Sequence, residues 1–65
     1  MTTEEVARRI YSVRKELGLP DEPDTDHYMA EEYLANWLST EVEDYARMAF
    51  KNGLKIKERL PGGSY

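Results

Sequence analysis

A chain of 65 residues with a net charge of −4, 40% hydrophobic side chains and no cysteine leaves few architectures open. It builds one domain at most, it excludes disulfides and thiolate metal sites, and no run approaches the eighteen apolar residues of a membrane span. A domain this short buries only about 60% of the surface its unfolded chain exposes, so tight helix packing or pairing of two copies is expected to add stability.

Residues 3–17 read as the first helix. Val6, Ile10, Val13 and Leu17 recur at spacings of four, three and four and fall on one stripe, which Ala7 and Tyr11 widen on one flank. Thr2 and Glu5 have capping-box spacing, and Glu4–Arg8 and Glu5–Arg9 stand as i,i+4 pairs. Lys15 falls in the last turn, Gly18 suits the left-handed position past the helix end with Leu19 folding back after it, and Pro20 stops the helix.

An acidic linker is expected over 18–26, where Pro20 and Pro23 discourage helix and the carboxylates repel one another. The second helix follows over 27–38, capped by Asp24, Thr25 or Asp26. Met29, Tyr33 and Trp37 share one stripe, and Ala30, Leu34 and Leu38 share the next. This breadth marks the second helix as the centre of the fold, with Trp37 in the middle of the core.

The third helix is expected over 40–52. Thr40 and Glu43 repeat the capping-box spacing, with Ser39 as the alternative cap. Val42, Tyr45, Ala46, Ala49, Phe50 and Gly53 turn inward, and Glu43–Arg47 pairs along the outside. A single bent helix over 27–52 is the alternative. After Asn52-Gly53 three readings stand: helix continued to 59, a strand through Leu54-Lys55-Ile56-Lys57, or coil. Residues 60–65 read as a flexible tail. The fold class is all-α, a small three-helix domain with a basic C-terminal segment whose structure the pattern leaves open.

Catalytic equipment is thin. His27 is the single histidine, and Ser12, Ser39 and Ser64 form no nucleophile–base–acid arrangement with it. Asp24-Thr25-Asp26 begins like a calcium loop, but Tyr28, Met29 and Ala35 stand where an oxygen ligand, a turn glycine and a bidentate glutamate belong. His27 and Glu31 offer two ligands on one helix face, too few for structural zinc. Gly62-Gly63 follows no strand and opens no helix, so it cradles no phosphate. The expectation is a non-enzyme with no cofactor, no metal, no small-molecule substrate and no membrane partner. Met1-Thr2-Thr3-Glu4-Glu5 lacks the pattern of a secretory signal, which places the protein in the cytoplasm by default.

Charge carries the functional signal. From Glu16 to Glu32 there are seven carboxylates and no Lys or Arg, and from Arg47 to Arg59 five cations against Glu58 alone. Such a two-ended chain suits docking to itself as a homodimer or to another protein. The interface candidates are Asp21, Glu22, Asp24 and Asp26, with Tyr11 and Tyr28 as aromatic anchors at helix-face edges. The alternative is a nucleic-acid-binding domain using Arg47, Lys51, Lys55, Lys57 and Arg59, against which the acidic total weighs. The expected role is a small protein–protein interaction or regulatory module.

Overall fold

A computed structural model of the chain describes residues 1–36 and 39–53. They form three helices, α1 (Thr3–Glu16), α2 (Pro23–Asn36) and α3 (Val42–Lys51), so the domain is all-α and its second and third helices are separate elements. No described helix is long and apolar enough to cross a membrane.

Both ends of α1 follow from its sequence. The Glu5 amide donates to the Thr2 hydroxyl at 3.2 Å and the Thr2 amide to the Glu5 carboxylate at 3.0 Å, closing the capping box. At the other end Gly18 takes φ +73°. Its amide donates to the Lys15 carbonyl at 3.0 Å, and the Leu19 amide to the Arg14 carbonyl at 3.1 Å. These two bonds are those of a Schellman motif with Leu17 as C-cap. The i,i+4 pairs expected along α1 are replaced by contacts between helices, Arg9 to Glu43 at 3.7 Å and Glu4 to His27 at 4.0 Å.

The acidic linker is shorter than expected, because α2 begins at Pro23 rather than at 27. Proline suits the first helical position, where its fixed φ is already helical and its missing N–H would have had no partner. The Glu22 carbonyl accepts the first helical bond from the Asp26 amide at 3.1 Å, and the Thr25 hydroxyl donates to the Glu22 carboxylate at 3.0 Å. Asp24 and Asp26 therefore sit in the first turn, where the helix dipole favours them.

The start of α3 also differs. The Tyr33 hydroxyl donates to the Thr40 carbonyl at 2.9 Å, holding Thr40 outside the helix. Glu41 becomes the N-cap, with no side-chain capping bond, and Glu43 turns to Arg9 instead of closing a box with Thr40. At the far end Asn52 is the C-cap and Gly53 takes φ +63°, which stops the helix. Helical continuation through Gly53 is thereby excluded. The readings of residues 54–59 as helix, strand or coil, and of the tail over 60–65, lie outside the described residues.

The core corrects the expectation that α2 is central. Val6, Ile10 and Val13 are each at most 1% exposed, and Ala7 and Arg14 beside them are also buried. Together they span an arc of roughly 120° on α1 at 100° per residue. The buried residues of α2 are Asp26, Met29, Ala30 and Tyr33, and those of α3 are Val42, Tyr45, Ala46 and Ala49. Each of these sets is one i, i+3, i+4, i+7 stripe, with part-buried Leu34 and Phe50 packed against the core beside them. In the fold α1 packs extensively on both partners, while α2 and α3 touch little among the described residues. Ala46 and Ala49 are fully buried on the inward side of α3; Gly53 is exposed instead of inward. Trp37 and Leu38, expected in the core, lie outside the described residues.

Where α2 and α3 do meet, Tyr33 and Tyr45 pack with ring centroids 5.1 Å apart at 59°. Burial, with the charge of Glu32 second, pushes the Tyr45 phenol up to about 12. Burial first, then Glu41 and Glu43, raises Tyr33 as well. A phenol raised in the folded state stabilises fully below its unfolded pKa of about 10, and that stability is lost as pH climbs toward the folded value. For Tyr45 the loss approaches about 1.4 kcal/mol per pH unit within that window, against roughly 3–5 kcal/mol available from a single small core, and Tyr33 adds to it in the same direction. Urea titrations followed by circular dichroism should therefore show stability falling steeply between about pH 10 and 12. Tyr45→Phe should flatten that fall. Equal urea midpoints for the parent at both ends of this window would refute the account.

A candidate protein-docking groove

Arg14, near the C-terminal end of α1, is 3% exposed and reaches all three helices. Its Nε donates to Asp26 Oδ1 on α2 at 2.9 Å. Its Nη1 donates to the Pro20 carbonyl in the linker at 3.2 Å. Its guanidinium carbon lies 4.5 Å from the centroid of the Phe50 ring on α3. Nη2 sits 2.8 Å from the same Asp26 oxygen but has no hydrogen-bond acceptor. Only the Nε–H is aimed at Oδ1, so Nη2 contributes charge proximity without a directed bond. A desolvated guanidinium over an aromatic face contributes about 2 kcal/mol, and the guanidinium fixes where Phe50 and the linker stand.

That placement shapes the surface beyond it. The left-handed turn at Gly18 ends α1 and sends Leu17 and Leu19 outward, so they are 46% and 37% exposed. Leu17 was expected in the buried stripe; as the C-cap it falls past the last turn of α1 and leaves that stripe. Both leucines line a groove of about 420 Å³ together with Arg47, Met48, Phe50 and Lys51 of α3. Met48 is 39% exposed. The floor is apolar and two cations stand on the α3 side.

Arg47 does not stand alone. Its Nη2 donates to both Glu16 carboxylate oxygens at 2.8 and 2.7 Å, and Asp44 lies 3.9 Å from Nη1. The hydrogen bonds that Arg47 donates to Glu16, and then the charge of Glu16, raise the guanidinium pKa further. Arg47 was expected to pair with Glu43; Glu16 of α1 takes it instead. The acidic and basic blocks of the sequence thus meet here within one chain.

The sequence-predicted site residues are scattered over the surface. Asp21, Glu22 and Asp24 are exposed around the start of α2. Asp26 is 3% exposed and committed to Arg14, which removes it from the exposed interface candidates. Tyr11 is 41% exposed, with the Lys15 ammonium 5.7 Å from its ring centroid, and it lines a shallow cleft with Pro23 and His27. Tyr28 is 39% exposed on α2. Of the basic set, Arg47 and Lys51 reach the groove, and Lys55, Lys57 and Arg59 lie outside the described residues. Among the described residues no three acidic or histidine side chains converge on a metal position.

The groove residues Leu17, Leu19 and Met48 were missed as a site. The available signal was two leucines flanking a helix-stopping glycine and a methionine off the inward stripe of α3. Comparison of the chain with family models, curated proteins and solved structures finds no match, so its function is argued from these residues alone.

The buried pair yields a stability prediction. Asp26→Ala leaves the Arg14 charge buried and unpaired, at a cost of about 3–5 kcal/mol, and the variant should lose its cooperative urea transition. Adding Arg14→Met, which keeps an unbranched apolar stem beneath Phe50 without the charge, should recover much of that loss. Additive losses in the double variant would show that the two side chains do not act as a pair.

Proposed function

We propose that this chain is a non-catalytic protein–protein interaction module, regulatory in effect and cytoplasmic, that binds another protein chain through the groove between the end of α1 and α3. The observation that carries this reading is the clustering of partly exposed Leu17, Leu19 and Met48 beside Phe50 on one surface. Scattered exposed apolar residues need no explanation, but a contiguous set with a polar rim is the usual form of a docking surface. Arg47 and Lys51 at its edge favour an acidic surface opposite.

The nucleic-acid alternative has less support. Among the described residues Arg47 is engaged by Glu16, and Lys51 is the other cation of α3. Phosphate binding gains affinity mainly from many cations acting together.

Two measurements test the reading. Cross-linking in native extract should recover a protein bound to the parent and lost in the Leu19→Glu variant, with the variant's circular dichroism unchanged. Identical recoveries would remove the groove from the binding face. Duplex DNA at low salt should not be retarded. Retardation that fades with salt, and whose salt slope falls in Lys51→Ala, would transfer the function to nucleic acid.

A further inference from the structure

We infer that the occupant of the groove is a second copy of this chain, with the two α3 helices antiparallel about a twofold axis near Arg47 and Met48. This inference rests on the groove being a protein-binding face and names what binds there.

The inward stripe of α3 is Val42, Tyr45, Ala46 and Ala49. Its opposite stripe is Asp44, Arg47, Met48 and Lys51, the same i, i+3, i+4, i+7 spacing turned outward. Asp44, Met48 and Lys51 are exposed and Arg47 is half-buried. The stripe is acidic at its N-terminal end, basic at its C-terminal end and apolar beside the middle. Asp44 and Lys51 stand about 10 Å apart along the axis, at nearly equal distances from the midpoint between Arg47 and Met48.

That polarity decides the orientation. A parallel pair would set Asp44 against Asp44 and Lys51 against Lys51. An antiparallel pair sets Asp44 of each copy against Lys51 of the other and opposes the helix dipoles. One contact argues against a twofold axis here, since it brings the two Arg47 guanidinium groups together. The bidentate Glu16 carboxylate already neutralises each of them. Met48 then meets Met48 near the axis, and Leu17, Leu19 and Phe50 extend the apolar area to one side. Such a contact is isologous and closes on itself, so it predicts a dimer and not a fibre.

The test is sedimentation equilibrium of the full chain from micromolar to millimolar concentration at low salt. The parent should shift from one chain mass toward two. Asp44→Lys alone and Lys51→Asp alone should each weaken the dimer about ten-fold, because each puts like charges at both symmetric contacts. The Asp44→Lys, Lys51→Asp double variant should return to within about three-fold of the parent, and Met48→Glu should stay monomeric. Circular dichroism of every variant should match the parent, and the milder pair Asp44→Asn and Lys51→Gln replaces any that does not.

Several outcomes would overturn the inference. A dimer indifferent to either charge reversal, or a double variant left as weak as the singles, assigns the contact to another face. A parent that stays monomeric throughout the concentration range overturns the second copy as occupant. A monomeric parent that still loses a cross-linked protein in Leu19→Glu overturns the second copy as occupant but leaves the groove as a binding face.

Discussion

A buried arginine on a 65-residue chain constrains everything near it. Leaving the Arg14 guanidinium without a counter-charge would cost several kcal/mol, comparable to the whole stability one small core supplies. Asp26 must therefore be brought to it, which requires α2 to begin early enough to carry Asp26 inward on its first turn. Pro23 makes that early start possible. The Pro20 carbonyl takes a second N–H, so the six residues between α1 and α2 have little freedom in how they cross. Phe50 stacks on the group from α3. One side chain thus contacts both other helices and the linker, on the helix whose wide apolar arc already holds them. Whether the pair adds net stability is secondary; breaking it is costly, and that cost fixes the arrangement.

The same geometry changes what the charge segregation means. Along the sequence, acids over 16–32 and bases over 47–59 suggest two faces awaiting partners. In the fold Glu16 and Arg47 are bonded at 2.7 Å across 31 positions, and Arg9 reaches Glu43. Among the described residues one pair, Glu16 with Arg47, joins the two blocks within the chain. Exposed pairs of this kind contribute only about 0–1 kcal/mol each, so their main effect is on the field the molecule presents. The acidic turn at Asp21, Glu22 and Asp24 keeps its charge, while the α3 surface becomes mixed in sign along its length.

Local signals were the most legible part of the sequence. Thr2 with Glu5, Gly18 with Leu19, and the stripes of α1 and α3 specify structure through neighbours a few residues away, and they read correctly except at the stripe ends, where Leu17 and Gly53 are exposed. The start of α2 misread because proline was weighed as a helix breaker when its position made it a helix starter. The Thr40 cap failed because Tyr33 holds the Thr40 backbone from seven residues upstream. Arg14 was invisible because an arginine in a last turn reads as a response to the helix dipole. Nothing nearby shows that its partner lies twelve residues on. Counting apolar residues pointed to α2 as the shared helix, whereas in the fold α1 carries the contacts with both partners. The groove escaped for a related reason: it is built from residues that leave their stripes, and periodicity arguments set those aside.

The apolarity of the groove is the part of the molecule that its own folding explains least. Leu17 and Leu19 are 46% and 37% exposed; the Schellman turn favours an apolar residue at Leu19, its C″ position, but sets no such demand on Leu17, its C-cap. Met48 lies on the outer stripe of α3, where a polar residue would cost the described core nothing and would improve solubility. Two neighbouring leucines and a methionine some thirty positions later in the sequence converge beside Phe50. Phe50 is itself held by the buried Arg14, so the floor of the groove is set by the interaction that organises the whole domain. A surface with exposed apolar positions that the fold does not require, and whose base packs on a buried guanidinium, offers area to bury on binding.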